Sequence, residues 1–489
     1  MSQYWILIAI ALPILGGIGV PLLPFQKRSQ MLAYIESVVL ATSGIVCALL
    51  LDGSTEAFHV VHFVNNLSIS FKIDGMTMVF AGLIAILWPL ATLYAFAYMT
   101  HESHEKTFFL FYTITYGITL GIAFASDMLS MYFFYELLTL VTVPLVMHTL
   151  TRESILAVRN YLYVSIGGAA FALMGMIFLI VYGETCEFLP GGVFSADALT
   201  QHGSLLLWIY LFSFMGFGVK AAIFPLSGWL PQAGVAPTPV TALLHAVAVV
   251  NAGAFAIIRL TYYSFGTEFL RDTWVQNVCL ALAMFTIVYG CSRAVKESHI
   301  KRRLAWSTVS NLSYIVFGAV LMSPQGLVGA LAHFVFHGFM KITAFLCAGA
   351  FMHQTGKKYI YEMDGMGKKM PVVFGTLTVS ALSLMGVPGF AGFISKWNLT
   401  QAAVNSSNPL AYLGVVSLLL SALLTAIYML SIVRRAFFPI AGSKDPGAVT
   451  DPGWQMCLPL LICTAATLLL GLFSAPLIDF FRAIALGTL

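Results

Sequence analysis

Residues Leu331–Leu346 read LAHFVFHGFMKITAFL, a run apolar enough to sit in lipid that nevertheless carries His333, His337 and Lys341. The three positions are four apart. On a helix they stack on one face, about 6 Å from one another along the axis. An ionisable group inside a membrane costs several kcal/mol unless it is paired or wetted, so each is a functional candidate by default. This stretch decides two things at once: the chain crosses a membrane, and its chemistry lies within it.

The rest of the chain agrees. Its 489 residues are 59% hydrophobic and 9% charged, with a mean hydropathy of +0.90. A soluble domain carries about 25% charged residues, and no soluble core could hide so much apolar surface. The expected class is an all-α polytopic membrane protein, a single membrane domain over 1–489. Apolar runs at 4–23, 31–51, 76–99, 107–125, 128–150, 155–182, 204–226, 240–263, 273–295, 304–322, 325–352, 371–400, 409–432 and 456–478 predict about fourteen transmembrane helices.

Charge tests that count. Alternating the loops from side to side puts seventeen Lys and Arg on one face and three (Lys72, Arg271, Arg482) on the other. Four (Lys220, Arg259, Lys341, Lys396) fall inside spans. A miscounted span would scramble this asymmetry. By the positive-inside rule the basic face is cytoplasmic, which places the chain in the cell's inner (cytoplasmic) membrane with both termini outside. The first run, Tyr4–Leu23, lacks a basic leader and reads as a span rather than a cleavable signal. His59–Asp74 alternates like a small outer hairpin. Glu184–Gly203 reads as a second outer loop and Ala441–Gly453 as an inner one.

The other ionisable groups deep in spans are few. They are Glu136 in MYFFYELLTL, Lys220 in MGFGVKAAIFPLSGW, His245 in TPVTALLHAVAVV and Lys396 in GVPGFAGFISKWNL; Glu36 and Arg259 sit nearer span ends. Histidine titrates near neutral pH, and groups spaced like 333, 337 and 341 suit proton hopping through one or two waters. Zinc is the rival reading of the two histidines, but the next position on the face is Lys, not a third ligand. The seven cysteines form no Cys-x-x-Cys pair and no Cys/His cluster with metal spacing. No metal and no cofactor is expected in this chain, and no nucleic acid. Lys220 precedes Pro225, and Lys396 follows Gly386, Pro388 and Gly389. Broken helices with a charge beside the break mark ion sites in transporters, often one in each of two inverted repeats. Bland alternatives exist singly: a snorkelling Lys396 beside Trp397 and Asn398, a structural ion pair for Glu136, a packing role for His245. Jointly these groups are too costly to keep for packing alone.

Four stretches resemble a known family. They are WLPQAGVAPTPVTALLHAVAVVNAGAF (229–255), KRRLAWSTVSNLSYI (301–315), AHFVFHGFMKITAFLCAG (332–349) and SLMGVPGFAGFISKWNL (383–399). They are similar to motifs of the antiporter-like membrane subunits of respiratory complex I, Mrp-type sodium/proton antiporters, membrane-bound hydrogenases and formate hydrogenlyases. The resemblance implies two inverted five-helix repeats, 107–263 and 273–432, each with a broken helix. It implies a gating ion pair of Glu136 with Lys220, a span-8 group at His245, a central relay of His333, His337 and Lys341, and an exit lysine at Lys396. The function implied is proton translocation within a multi-subunit ion-pumping complex. That complex is either an Mrp-type sodium/proton antiporter or a redox-driven translocase of hydrogenase or NADH:quinone oxidoreductase type. Its partners would be other membrane subunits and, in the redox case, hydrophilic iron–sulfur subunits holding the cofactors; protons are the expected ion, with sodium a second. The competing class is a membrane scaffold for a redox enzyme, or a partner subunit of a cytoplasmic enzyme such as an inorganic-carbon uptake system. Three positions depart from the pattern: Gln232 stands where many relatives carry an acid, Gly234 where many carry His, and Asn251 where some carry Lys. The chain ends soon after the last span, without the long lateral helix of the distal complex I subunit.

Overall fold

The apolar runs fold as helices in a computed structural model that describes residues 3–53, 55–63, 67–439 and 447–488. In chain order they are α1 (Tyr4–Leu22), α2 (Arg28–Asp52), α3 (Gly75–Tyr98), α4 (Glu105–Phe124), α5 (Met128–Val146), α6 (Arg152–Tyr182) and α7 (Ala196–Gly218). Then come α8 (Trp229–Ala233), α9 (Thr238–Ala246), α10 (Val249–Ile258), α11 (Thr267–Leu270), α12 (Trp274–Lys296), α13 (Ile300–Val320) and α14 (Pro324–Thr355). Last are α15 (Met366–Lys369), α16 (Pro371–Met385), α17 (Ala391–Val404), α18 (Ala411–Phe437), α19 (Trp454–Leu472) and α20 (Ala475–Ala485). Among the described residues, 11 helices are long and apolar enough to cross a membrane. The other expected spans fall on α7, on α13 and on the interrupted pair α16/α17. The chain is a multi-pass membrane protein.

Caps fix several starts. Side chains of Asp74, Asp127, Thr151, Ser195, Thr273 and Ser323 each accept a hydrogen bond from a first-turn amide of the helix that follows. Ser195 starts α7 earlier than apolarity alone suggested, so the loop before it is shorter than Glu184–Gly203. The expected hairpin is present: β1 (Phe58–His62) pairs antiparallel with β2 (Ser68–Phe71), Phe58 opposite Phe71, with an irregularity between His59 and Val61. The loop expected at Ala441–Gly453, with Lys444, lies partly outside the described residues.

Three spans are interrupted. After α7 the chain leaves the helix at Val219, and Ala222 takes φ 55°. The freed groups find partners: Trp229 Nε1 donates to Val219 O (2.8 Å) and Phe224 N to Thr286 Oγ1 (3.1 Å). Between α9 and α10 the break falls at Val247–Ala248, where Asn251 Nδ2 donates to Ala246 O (2.9 Å). Between α16 and α17, Gly386 turns at φ 87° and Gly392 N donates to Ser383 Oγ (3.0 Å). Irregular backbone at this depth survives only when buried in protein with its polar groups satisfied.

The long helix α14 runs through the centre, packed by α3, α9, α13, α16, α17, α19 and α20. By contrast α18 turns Leu413, Val416, Leu419 and Leu423 outward. One end of α3 is locked by a buried ion pair: Arg259 Nη1 and Nη2 each lie 2.7 Å from an oxygen of Asp74. Burial pushes the Asp74 carboxyl up, but the Arg259 guanidinium outweighs it and holds the group at about 2.

Candidate functional site

Lys220 lies in the irregular turn after α7, 1% exposed. Its Nζ sits over the Tyr135 ring, 3.3 Å from the centroid, and donates to the Tyr135 main-chain oxygen. Close approach of α10 holds it there: a Cβ at Gly253 would meet the Lys220 carbonyl carbon at 2.7 Å. The expected ion pair with Glu136 is not formed. The ring and carbonyl of the preceding residue solvate the ammonium instead, and Glu136 is half-buried with Oε1 unpartnered. Glu136 shares its helical face with Phe133 and Leu140, which are 48% and 62% exposed.

His245 closes α9 just before its break. It is wholly buried and stacked on Phe345 of α14 (4.5 Å, 23°), and neither ring nitrogen has a partner. Along α14 the three groups of the opening stretch are all buried. His333 Nδ1 pairs with Ser395 Oγ (2.9 Å), and the His333 and His337 rings lie 6.1 Å apart. Both nitrogens of His337 are unpartnered. His333, Lys341 and, from α9, His245 all lie within electrostatic reach of His337. Lys341 Nζ donates to Ser307 Oγ (2.6 Å) and Leu304 O (3.3 Å) on α13.

Lys396 on α17 does not snorkel. It is 9% exposed and turns inward, donating to Leu384 O (2.6 Å) and Met385 O (3.2 Å) at the end of α16. A cation on the last carbonyls of a helix meets the negative end of its dipole. The Tyr314 ring lies 5.2 Å from Nζ and 5.0 Å from the His333 ring. The structure thus gathers His245, His333, His337, Lys341 and Lys396 around α14. Glu136 on α5 and Lys220 in the turn after α7 form a separate group, and no hydrogen bond joins the two groups among the described residues.

Several participants escaped the sequence reading. Tyr135 and Tyr314 looked like ordinary aromatic span residues. Lys301 and Arg303, counted to the aqueous rim, are 4% and 8% exposed; Lys301 Nζ donates to Ala236 O (2.7 Å), just before α9. Lys301 also lines a cavity of about 430 Å³ with His101, Glu102, Glu153, His299 and His353. Burial, then the Lys301 and Arg302 charges, push the His299 imidazole down to about 4. Of the departures, Gln232 accepts from Asn160 Nδ2 (2.8 Å), and Asn251 spends its amide on the α9 break.

Comparison with known proteins places this architecture. The family model described as NADH:quinone oxidoreductase/Mrp antiporter, TM, matches residues 125–425, and that of NADH-ubiquinone oxidoreductase (complex I), chain 5 N-terminus, matches 62–109. NADH-quinone oxidoreductase subunit N of Desulforudis audaxviator (strain MP104C) is 28% identical, over 96% of this chain and 95% of that protein. Among solved structures, a chain of an archaeal membrane-bound sulfane sulfur reductase superposes with a TM-score of 0.86 at 21% identity, over 99% of this chain and 97% of that one. A chain of the Mrp complex from Dietzia sp. DQ12-45-1b gives 0.83 at 20% identity, over 99% and 97%.

Proposed function

The chain belongs to the NADH:quinone oxidoreductase/Mrp antiporter family, and on that premise we propose that it is a proton-translocating subunit of a multi-subunit membrane complex. The observation that carries this is the line of five buried titratable groups, His245, His333, His337, Lys341 and Lys396, gathered around α14. His245 and His337 are wholly buried, and an ionisable group at membrane depth costs several kcal/mol unless it is paired or wetted. A scaffold gains nothing from that expense. A proton relay needs such groups at close intervals, because each must take up and release a proton inside the fold.

In this reading Lys220 and Glu136 sense the neighbouring subunit. The face of α5 that carries Glu136 between Phe133 and Leu140 is open, and a half-buried carboxylate at membrane depth calls for a partner chain. A change of charge there would move the Lys220 ammonium between the Tyr135 seat and Glu136. The signal passes across the α7 and α9 breaks to His245. The proton then moves along the α14 ladder of Lys341, His337 and His333 to Lys396, which shares the Tyr314 ring with His333. The cavity floored by Lys301 is the proton uptake vestibule, on the basic face that we assign to the cytoplasm, with both termini outside. We assign α7, α13 and α16/α17 as spans too, making fourteen, with inverted repeats at 107–263 and 273–432. Two parallels support the repeats. The third helix of each is its longest (α6, 31 residues; α14, 32 residues). In each, the lysine of the broken fourth span lies against a tyrosine of the second: Lys220 on Tyr135, Lys396 on Tyr314.

The test is proton movement by the native complex in sealed membrane vesicles. Lys341→Met and Lys220→Ala are each expected to reduce it at least tenfold with the complex still assembled. Wild-type movement by Lys341→Met would remove the relay.

A further inference from the structure

Lys341 has a second set of neighbours. The Ser307 oxygen that accepts from its Nζ lies 2.6 Å from Tyr428 Oη, and Tyr428 Oη donates to Thr425 Oγ1 (3.3 Å). Thr425 Oγ1 is 3.5 Å from Cys291 Sγ. Cys291 Sγ in turn is 3.0 Å from both Ser310 Oγ and Ser421 Oγ, which are themselves 3.2 Å apart. Every member is at most 1% exposed. The chain crosses from α14 through α13 to α18 and returns to α12. It finishes short of Tyr314, a buried ring whose Oη makes no hydrogen bond among the described residues. The same Tyr314 ring lies beneath Lys396.

Along α14 itself the picture is the reverse. Among the described residues no hydrogen bond joins Lys341 to His337 or His337 to His333. The hydroxyls, which both donate and accept, are the better-connected set. Packing accounts for part of the cluster: Ser310 and Thr425 also bond main-chain carbonyls, Ile287 O (2.8 Å) and Ser421 O (2.7 Å). It does not account for Ser307, whose hydroxyl bonds are to Lys341 and Tyr428.

We propose that Ser307, Tyr428, Thr425, Cys291, Ser421 and Tyr314 form a hydroxyl branch that carries protons between Lys341 and Lys396, parallel to the two histidines. The proposal rests on the relay reading above and extends it. The Lys341 ammonium gives a proton to Ser307 Oγ as Ser307 gives its own to Tyr428 Oη. Each later member likewise takes one proton and releases one. Tyr314 Oη bonds no other side chain, so waters on either side of it complete the branch and hand the last proton to the neutral amine of Lys396; only the two lysines change charge. Cys291 is the weakest link, because a thiol hydrogen-bonds poorly.

The experiment is again proton movement by the native complex in sealed vesicles. Tyr428→Phe deletes one oxygen and keeps the ring; Ser307→Ala deletes the other hydroxyl nearest Lys341. Each is expected to lower proton movement at least fivefold with assembly intact, and the double variant to be no worse than the poorer single one. Cys291→Ser is expected to match or exceed the native chain, whereas Cys291→Ala falls several-fold, a contrast that packing alone would not produce. If Tyr428→Phe does not assemble, Ser307→Ala and its rescue by Ser307→Thr decide. Normal movement by both hydroxyl variants, with Lys341→Met inactive, would overturn the branch and leave the relay standing. Normal movement by Lys341→Met would overturn the relay and the branch with it.

Discussion

Lys220 shows what a single residue has to satisfy here. Its ammonium is out of water, and the structure answers with the face of Tyr135 and one carbonyl rather than a carboxylate. A desolvated cation over an aromatic ring is worth about 2 kcal/mol. The ring should therefore matter more than its hydroxyl, which donates to Phe217 O (3.1 Å). Tyr135→Phe is expected to cost about 1 kcal/mol of stability and leave proton movement within twofold, whereas Tyr135→Leu reduces it about tenfold. Equal behaviour of the two variants in vesicle assays would show that the ring does not seat Lys220. The titratable residues were legible in the sequence because charge in an apolar run stands out whatever the fold. Their seats were not. Tyr135, Tyr314, Ser307 and Phe345 are residue types common in any span, and nothing in the local pattern separates a tyrosine under a lysine from one that only packs.

Helix breaks carry the geometry at the next scale. Pro225, and the Gly386–Pro388–Gly389 cluster, announced two interruptions by chain chemistry, and both occur. The third, between α9 and α10, had no such announcement, since Val247 and Ala248 are ordinary helix residues and the break is held open by Asn251 from below. The α16/α17 break makes the sharper prediction. The two half-helices meet at Gly392, where a Cβ would press against the Ser383 carbonyl, its carbon 2.8 Å away and its main chain unable to yield. Gly392→Ala should push α17 away and lift Lys396 off Leu384 O. Gly375, on α16, has nothing within 4 Å of its would-be Cβ, and Gly375→Ala serves as the control. The expected result is a loss of proton movement of about tenfold for Gly392→Ala with the control unchanged. Equal activity of the two would mean that the position of Lys396 does not govern the relay.

Across the whole molecule, the multi-pass helical class was legible because lipid imposes long apolar runs on composition. The internal packing order was not, since α6 and α14 are both long and apolar yet one lies at the edge and the other at the centre. What separates them is polar content: α14 and its neighbour α13 carry the His, Lys, Ser and Asn groups that only an interior site can satisfy. Sidedness yields a prediction independent of transport. Lys358 is exposed at the rim of the Lys301 cavity and Glu268 is exposed beyond the far end of α10. With the basic face cytoplasmic, Lys358→Cys in intact cells should resist an impermeant maleimide and label only in inverted vesicles. Glu268→Cys should label in intact cells, each variant measured against the unaltered chain. The reverse pattern would turn the molecule over. The cavity would then open outward and serve proton release, and the direction assigned to the relay from His245 to Lys396 would have to be reversed with it.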